Sequence, residues 1–394
     1  VKWRILILSL CYAFALQGLK AYAQNIDIYQ DVFNIPEITA GVPKFDKEVS
    51  VSAVASYIEQ LQQSEYNKVI AALAQYKSAH QLSDWMYYQV VRRTANYLSP
   101  KSKNYNDYTL VKWLLMRQTG YDVRLAVIDN KLLFYTRSED EVFDIPYFDL
   151  DHKRYVCLNR HDYAAIPFGT EELLSVPMPR PATELASFSY KIAQLPEFTE
   201  DNFSNRFLDF TFRGKAYHFN IRVNNALDTL FANYPVVDYE AYFNIPMSTT
   251  TYNTLMPELK QAVADMSRQD GVAYLMEFTR NAFAYESDMD AVGKEQRNAP
   301  ELTLLRDKSD CDDRVALLYF FIKEIYDLPM VVIQYPTHVL LGVALEGTKG
   351  FEIPYKGRQY TVVDPTPQSV ALKVGEIGKK YKKQSYEIAY AYKP

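Results

Sequence analysis

Residues 308–329 read KSDCDDRVALLYFFIKEIYDLP, and this stretch decides how the second half of the chain is built. Val315, Leu318, Ile322 and Ile325 recur at helical spacing and fall on one face. Ser309 or Asp310 can cap the start, with Asp312 completing a Ser-x-x-Asp capping box, and Pro329 stops the helix. Cys311, four residues before Val315, lies on the same face in the first turn. Unpaired backbone N–H groups and the helix dipole favour a thiolate there. Asp312 and Asp313 push the other way. A histidine partner would therefore decide between a core cysteine and a nucleophile.

Downstream the periodicity changes to two. PMVVIQY (329–335), HVLLGVALE (338–346) and RQYTVVD (358–364) read as strands. Upstream, residues 256–283, MPELKQAVADMSRQDGVAYLMEFTRNAF, carry a helical pattern. The first half of the chain has the same order. Helical patterns over 55–79 and 108–120 precede the strand-like runs DVRLAVI (122–128), KLLFYTR (131–137) and KRYVCLN (153–159). Helices followed by a run of strands predict an α+β unit with an antiparallel sheet.

Short motifs also recur. Phe33-Asn34-Ile35-Pro36 returns at 243–246, and Tyr121-Asp122-Val123 returns as Tyr326-Asp327-Leu328. Phe143-Asp144-Ile145-Pro146-Tyr147 returns as Phe351-Glu352-Ile353-Pro354-Tyr355, and Arg154-Tyr155-Val156 is echoed by Gln359-Tyr360-Thr361. Ser189-Tyr190-Lys191-Ile192-Ala193 returns at 385–389. All five pairs keep their order, about 196 to 210 residues apart. A duplicated chain is expected, with related units over 24–195 and 236–394 and a linking region over 196–235. That region holds LDFTFRGKAYHFNIRV (208–223), two alternating runs around Arg213-Gly214-Lys215 that predict a hairpin.

His338 directly precedes the strand VLLGVALE, and Asp364 closes the strand TVVD before Pro365. In adjacent antiparallel strands the start of one lies near the end of the next. The carboxylate is then placed to hold the imidazole, and the imidazole to meet the thiol of Cys311. Ser-Asp-Cys-Asp-Asp-Arg opening an apolar helix, a histidine starting a strand, then Val-Val-Asp-Pro-Thr: over about residues 250–370 this resembles the transglutaminase-like superfamily of papain-type Cys-His-Asp enzymes. The resemblance implies Cys311 as nucleophile, His338 as general base and acid, and Asp364 as the orienting carboxylate. It also implies an α+β core with the cysteine helix packed on the sheet. Ser309 stands where members often have glycine, and Val339-Leu340-Leu341 where an aromatic residue often follows the histidine. Gln296 and Tyr335 are candidates for a second oxyanion donor, beside the N–H of Cys311.

The first unit gives an internal comparison. At an offset of 205, Asn106 falls under Cys311, Leu133 near His338 and Asn159 under Asp364, so neither thiol nor imidazole is expected there. Without a nucleophile and a base the first unit reads as an inactive copy. Its Cys157 is expected to be a buried strand residue. Residues 286–308, longer and more polar than the matching LSPKSKNY of the first unit, suggest a substrate-binding loop.

The rest of the sequence bounds the setting. Lys2 and Arg4, the apolar run Ile5–Leu16 and Ala21-Tyr22-Ala23 read as a cleaved signal over 1–23, which implies export to a periplasm or the extracellular space. No later segment has the length of a membrane span. A net charge of −5 without a basic run argues against a nucleic-acid partner. The five histidines show no metal-ligand spacing, so neither metal nor cofactor is expected. The 33 tyrosines suit strands and cores. The expected function is an exported thiol-dependent amide hydrolase, of peptidase or deamidase type, acting on a peptide, protein or cell-wall peptide. Acyl transfer to an amine, or a non-catalytic binding or assembly role in the cell envelope, are the alternatives.

Overall fold

A computed structural model describes residues 24–38, 43–163, 174–178, 183–281, 284–285, 297–368 and 371–394. The signal-like segment lies outside them, as do residues 286–296 of the polar stretch 286–308, Gln296 included.

The chain is α+β, with two sheet-containing units. In the first, strands β1 (Gln24–Ile28) and β2 (Asp31–Ile35) form a small hairpin. Helices α1 (Val51–Gln62), α2 (Asn67–Ala79), α3 (Asp84–Leu98) and α4 (Tyr105–Gln118) follow. Then come β3 (Val123–Ile128), β4 (Lys131–Arg137), β5 (Val142–Phe143), β6 (Tyr147–Leu150), β7 (Lys153–Cys157) and β8 (Leu174–Ser175). The predicted helix over 55–79 is two helices, broken at Gln63–Tyr66. Helix α3 is absent from the sequence-based expectation. It buries Trp85 through Val91 continuously, and its buried set mixes aromatic and polar residues, Tyr87, Tyr88, Gln89 and Thr94, with aliphatic ones.

Strands β9 (Phe203–Phe212) and β10 (Lys215–Asn224) are the expected hairpin. Arg213 and Gly214 turn it with φ of 51° and 80°, the pair of positive angles that a two-residue type I′ connection requires. The hairpin is no free tether. Phe210 and Phe219 meet Phe278 edge-on, at 5.4 and 5.3 Å between ring centroids.

The second unit continues with α5 (Ala226–Phe231), β11 (Val236–Val237), α6 (Tyr239–Phe243), α7 (Thr249–Val263), α8 (Arg268–Asn281), β12 (Ala284–Tyr285), α9 (Pro300–Leu305) and β13 (Lys308–Ser309). Helix α10 (Cys311–Tyr326) leads into β14 (Met330–Tyr335), β15 (His338–Val343), β16 (Glu352–Tyr355), β17 (Arg358–Val363) and β18 (Glu387–Tyr392). Here too the long predicted helix is two, α7 and α8. Gly271 on α8 admits Tyr326 from the end of α10: a Cβ there would lie 1.7 Å from the tyrosine oxygen.

The two sheets share one strand order, β6-β7-β4-β3-β8 and β16-β17-β15-β14-β18, antiparallel throughout. Two motif pairs occupy unlike places. Phe33 is in a strand, whereas Phe243 ends a helix. Ser385–Ala389 runs into the edge strand β18, but Ser189–Ala193 is irregular and β8 takes the corresponding edge. There the backbone N–H groups of Ser189 and Tyr190 are satisfied by the carboxylates of Asp84 and Asp140 instead of a ladder. Among the described residues no helix is long and apolar enough to cross a membrane.

Candidate active site

Helix α10 begins at Cys311. Asp310 is its N-cap, accepting from the N–H of Asp313 at 3.3 Å; Ser309 belongs to β13. The helix ends on Asp327 in the left-handed conformation, two residues before Pro329. Its first turn is pinned by Asp313, which is fully buried. That carboxylate accepts from the Tyr242 hydroxyl (2.8 Å) and from the backbone and side-chain amides of Asn298.

His338 opens β15 opposite Tyr335, across the two-residue turn Pro336-Thr337. Asp364 directly follows β17, which pairs with β15, as the antiparallel argument requires. The two side chains meet: His338 Nε2 lies 3.0 Å from Asp364 Oδ2. The remaining partners of Asp364 are the Thr366 N–H on Oδ1 (3.0 Å) and the Gln368 amide on Oδ2 (2.6 Å). Its backbone carbonyl accepts from the buried Arg280 guanidinium. With Nε2 donating to a carboxylate, Nδ1 is the basic atom of the ring. Tyr381 stacks on the imidazole, 4.9 Å between centroids and 17° from parallel.

Cys311 and His338 line one cavity of about 660 Å³, together with Asp310, Asp312, Tyr335 and Val339. The backbone N–H of Val339, next to His338, reaches the sulfur. The electrostatics differ from the sequence expectation. Burial pushes the thiol well above its usual range, and Asp312, Asp310 and Asp313 add to this; the Val339 N–H opposes them. The resting sulfur is therefore a thiol at neutral pH. Cys157 behaves as expected, buried at the end of β7 and pushed up to about 12, chiefly by burial. Both cysteines are free.

Asp310, Asp312 and Asp313 are the described residues whose ligand atoms come close enough, within 4.8 Å, to hold a cation. Each already has a protein partner. Asp310 caps the helix, Asp312 lies 3.6 Å from Arg297 Nε, and Asp313 is held as above.

The first unit shows what replaces the constellation. Asn104 caps α4 as Asp310 caps α10, which puts Tyr105, not Asn106, at the place of Cys311. The hairpin pairs Ile128↔Lys131 and Tyr335↔His338 put Lys131, not Leu133, at the place of His338. The register shifts because Lys131 to Asn159 is a step of 28 positions, whereas His338 to Asp364 is one of 26. Asn159 does stand at the place of Asp364, fully buried, donating to the Tyr105 hydroxyl at 2.9 Å. Tyr105 in turn donates to Asp162, which also holds Lys101 (2.6 Å). An imidazole does lie beside this network. His161 Nε2 is 3.5 Å from Asp162, and burial lowers its pKa to about 4. It sits one helical turn past β7, outside any motif, so no sequence signal marked it.

Tyr381, Gln368 and Arg280 were likewise not foreseen; they come from irregular chain or from another helix. Comparison with known protein-family models, curated proteins and solved structures finds no match for this chain.

Proposed function

We propose that the chain is an exported thiol-dependent amide hydrolase, of peptidase or deamidase type, acting on a peptide, protein or cell-wall peptide. The observation that carries the proposal is the cavity lined by both Cys311 and His338, with Asp364 bound to Nε2 of the His338 ring. The leader-like sequence of residues 1–23 supports export.

The chemistry follows from the protonation states. The resting thiol is neutral, so His338 Nδ1 takes the sulfur's proton as the C–S bond forms, and Asp364 stabilises the imidazolium. The Cys311 N–H, among the opening amides that a helix leaves without an internal acceptor, serves as the proposed oxyanion donor. Collapse breaks the C–N bond, the imidazolium protonates the leaving amine, and a thioester remains. Water then attacks with His338 as base, the C–S bond breaks, and the thiol is restored.

The raised thiol and its three acidic neighbours favour one other reading, a non-catalytic scaffold that keeps the constellation. Transfer of the acyl group to an amine differs from hydrolysis only in the acceptor. Incubation with glutamine-bearing peptides and a fluorescent primary amine, read by mass spectrometry against Cys311→Ala, separates all three. Free acid or cleaved peptide is expected; amine conjugate would mean transfer. Turnover indistinguishable from Cys311→Ala across the peptide set would overturn the enzyme proposal.

A further inference from the structure

The cavity around Cys311 is walled by both units. Glu141, Phe143 and Asp144 of the first unit line it, facing residues of the second. Pairing of β5 with β11 fixes that wall: Phe143 lies opposite Val236, Val142 opposite Val237, and the Asp238 N–H donates to the Glu141 carbonyl at 3.1 Å. Asp238 then caps α6, whose Tyr242 holds Asp313 in the first turn of the cysteine helix. The wall and the nucleophile are thus tied through one short run of chain.

The lining is strongly acidic. It carries Glu141, Asp144, Asp238, Asp310, Asp312 and Glu387 against one arginine, Arg297. That arginine is already spent on Asp312, on the Val237 carbonyl and on the Tyr239 ring, 4.1 Å from its centroid. The carboxylates of Glu141, Asp144 and Glu387 are exposed and have no ion-pair partner among the described residues. Tyr335 lines the same cavity at 2% exposure, its ring against Tyr381 and Tyr386 and its buried hydroxyl without a hydrogen-bond partner among the described residues. The acid bias is local. A second cavity of about 570 Å³, sharing Phe143, Asp144, Val236 and Arg297 with the first, has Arg160 and Arg306 on its lining as well.

We infer that the first unit is the specificity wall of the site, and that the substrate is a peptide with a positive charge close to the bond attacked. Unpaired carboxylates of one sign gathered around a concave site focus the field on an incoming cation. The inference deepens the hydrolase reading and rests on the same cavity.

Its test does not require turnover. In the full chain, Cys311 is modified at low ionic strength with two methanethiosulfonates, one bearing a trimethylammonium group and one a sulfonate. Cys311→Ser serves as blank, each rate is divided by the reagent's rate with free cysteine to remove intrinsic reactivity, and the ratio of the two reagents cancels the effect of the raised thiol. The cationic reagent is expected to be favoured by about tenfold or more, falling as salt is added. In Glu141→Gln/Asp144→Asn the preference should drop at least threefold, on the order of one screened charge interaction per residue. Asp144 has φ of 58°, a conformation asparagine also accepts. A ratio near one, or one unmoved by the double variant, overturns the inference. Paired peptides differing only in lysine or glutamate beside the scissile bond complete the test. Preference for lysine supports it, and equal turnover of both overturns it while leaving the hydrolase reading intact. A charge preference in thiol modification with no turnover of either peptide retains the wall and defeats the hydrolase reading.

Discussion

At the scale of the residue, the account turns on one proton. Burial and three aspartates hold the Cys311 thiol above its usual range. In the proposed mechanism His338 therefore removes the proton during attack, and no standing thiolate–imidazolium pair supplies the nucleophile. Iodoacetamide labelling of Cys311 in the resting protein should accordingly climb with pH without a plateau below about pH 9, above the ~8.5 of a free thiol. Peptide mass spectrometry at a series of pH values measures this, and a plateau near pH 6 would contradict it. Cys311, His338 and Asp364 were legible in the sequence because each sits at the end of a regular element, where periodicity locates it. The raised thiol was half legible: Asp312 and Asp313 were visible beside the cysteine, but the depth of burial was not. Gln368, from irregular chain, and Tyr381, which opens the short 3₁₀ turn Tyr381–Lys383, fix Asp364 and His338, and no local pattern specifies the path that brings them there.

At the scale of the element, α4 and α10 are two solutions to one position. Each carries a buried aspartate in its first turn, Asp107 taking the Tyr57 hydroxyl, the Phe45 N–H and the Ser99 hydroxyl, Asp313 taking Tyr242 and Asn298. They part further along. Aligning the caps Asn104 and Asp310 sets Lys112 of α4 against Leu318 of α10. Lys112 is 2% exposed, with the rings of Tyr108, Tyr88 and Phe134 around its ammonium, and burial, then the charge of Arg92, lowers its pKa to about 7. An unfolded lysine keeps its proton to about pH 10.4. Between pH 7 and about 10.4 the unfolded chain therefore binds more protons, and stability rises with pH across that window. Lys112→Leu should remove that rise and stabilise the protein at pH 7 by a few kcal/mol, of order 3. Urea denaturation at pH 7 and pH 9.5 tests both; a variant that is less stable at pH 7, or as pH-sensitive as the parent, would contradict the assignment. The strands were the most legible elements. Helix α3 was not, because Tyr87, Tyr88, Gln89 and Thr94 make up much of its buried face in place of aliphatic residues.

At the scale of the whole molecule, the parts that looked like spacers hold the second unit together. The β9–β10 hairpin packs its aromatic face on α8, and α8 carries Arg280, which donates to the Asp364 carbonyl. Phe210→Ala, removing a ring in contact with both Tyr274 and Phe278, should cost about 3–5 kcal/mol in thermal or urea unfolding. A loss under 1 kcal/mol would show that the hairpin is peripheral. The two-unit architecture was legible from ordered motif repeats, and the matching strand orders agree with it. The adjacency of the first unit to the Cys311 cavity was not, since it depends on the two-residue pairing of β5 with β11, too short to leave a pattern.

The most direct measurement is the intact mass of the protein after treatment with a peptidyl acyloxymethyl ketone, which reports attack by a sulfur assisted by its base. At pH 7.5 one adduct is predicted on Cys311, absent in Cys311→Ser and formed at least ~100-fold more slowly in His338→Ala, the share that a positioned base contributes. Equal adduct formation in His338→Ala, or none in the parent with any peptide sequence, would contradict the account.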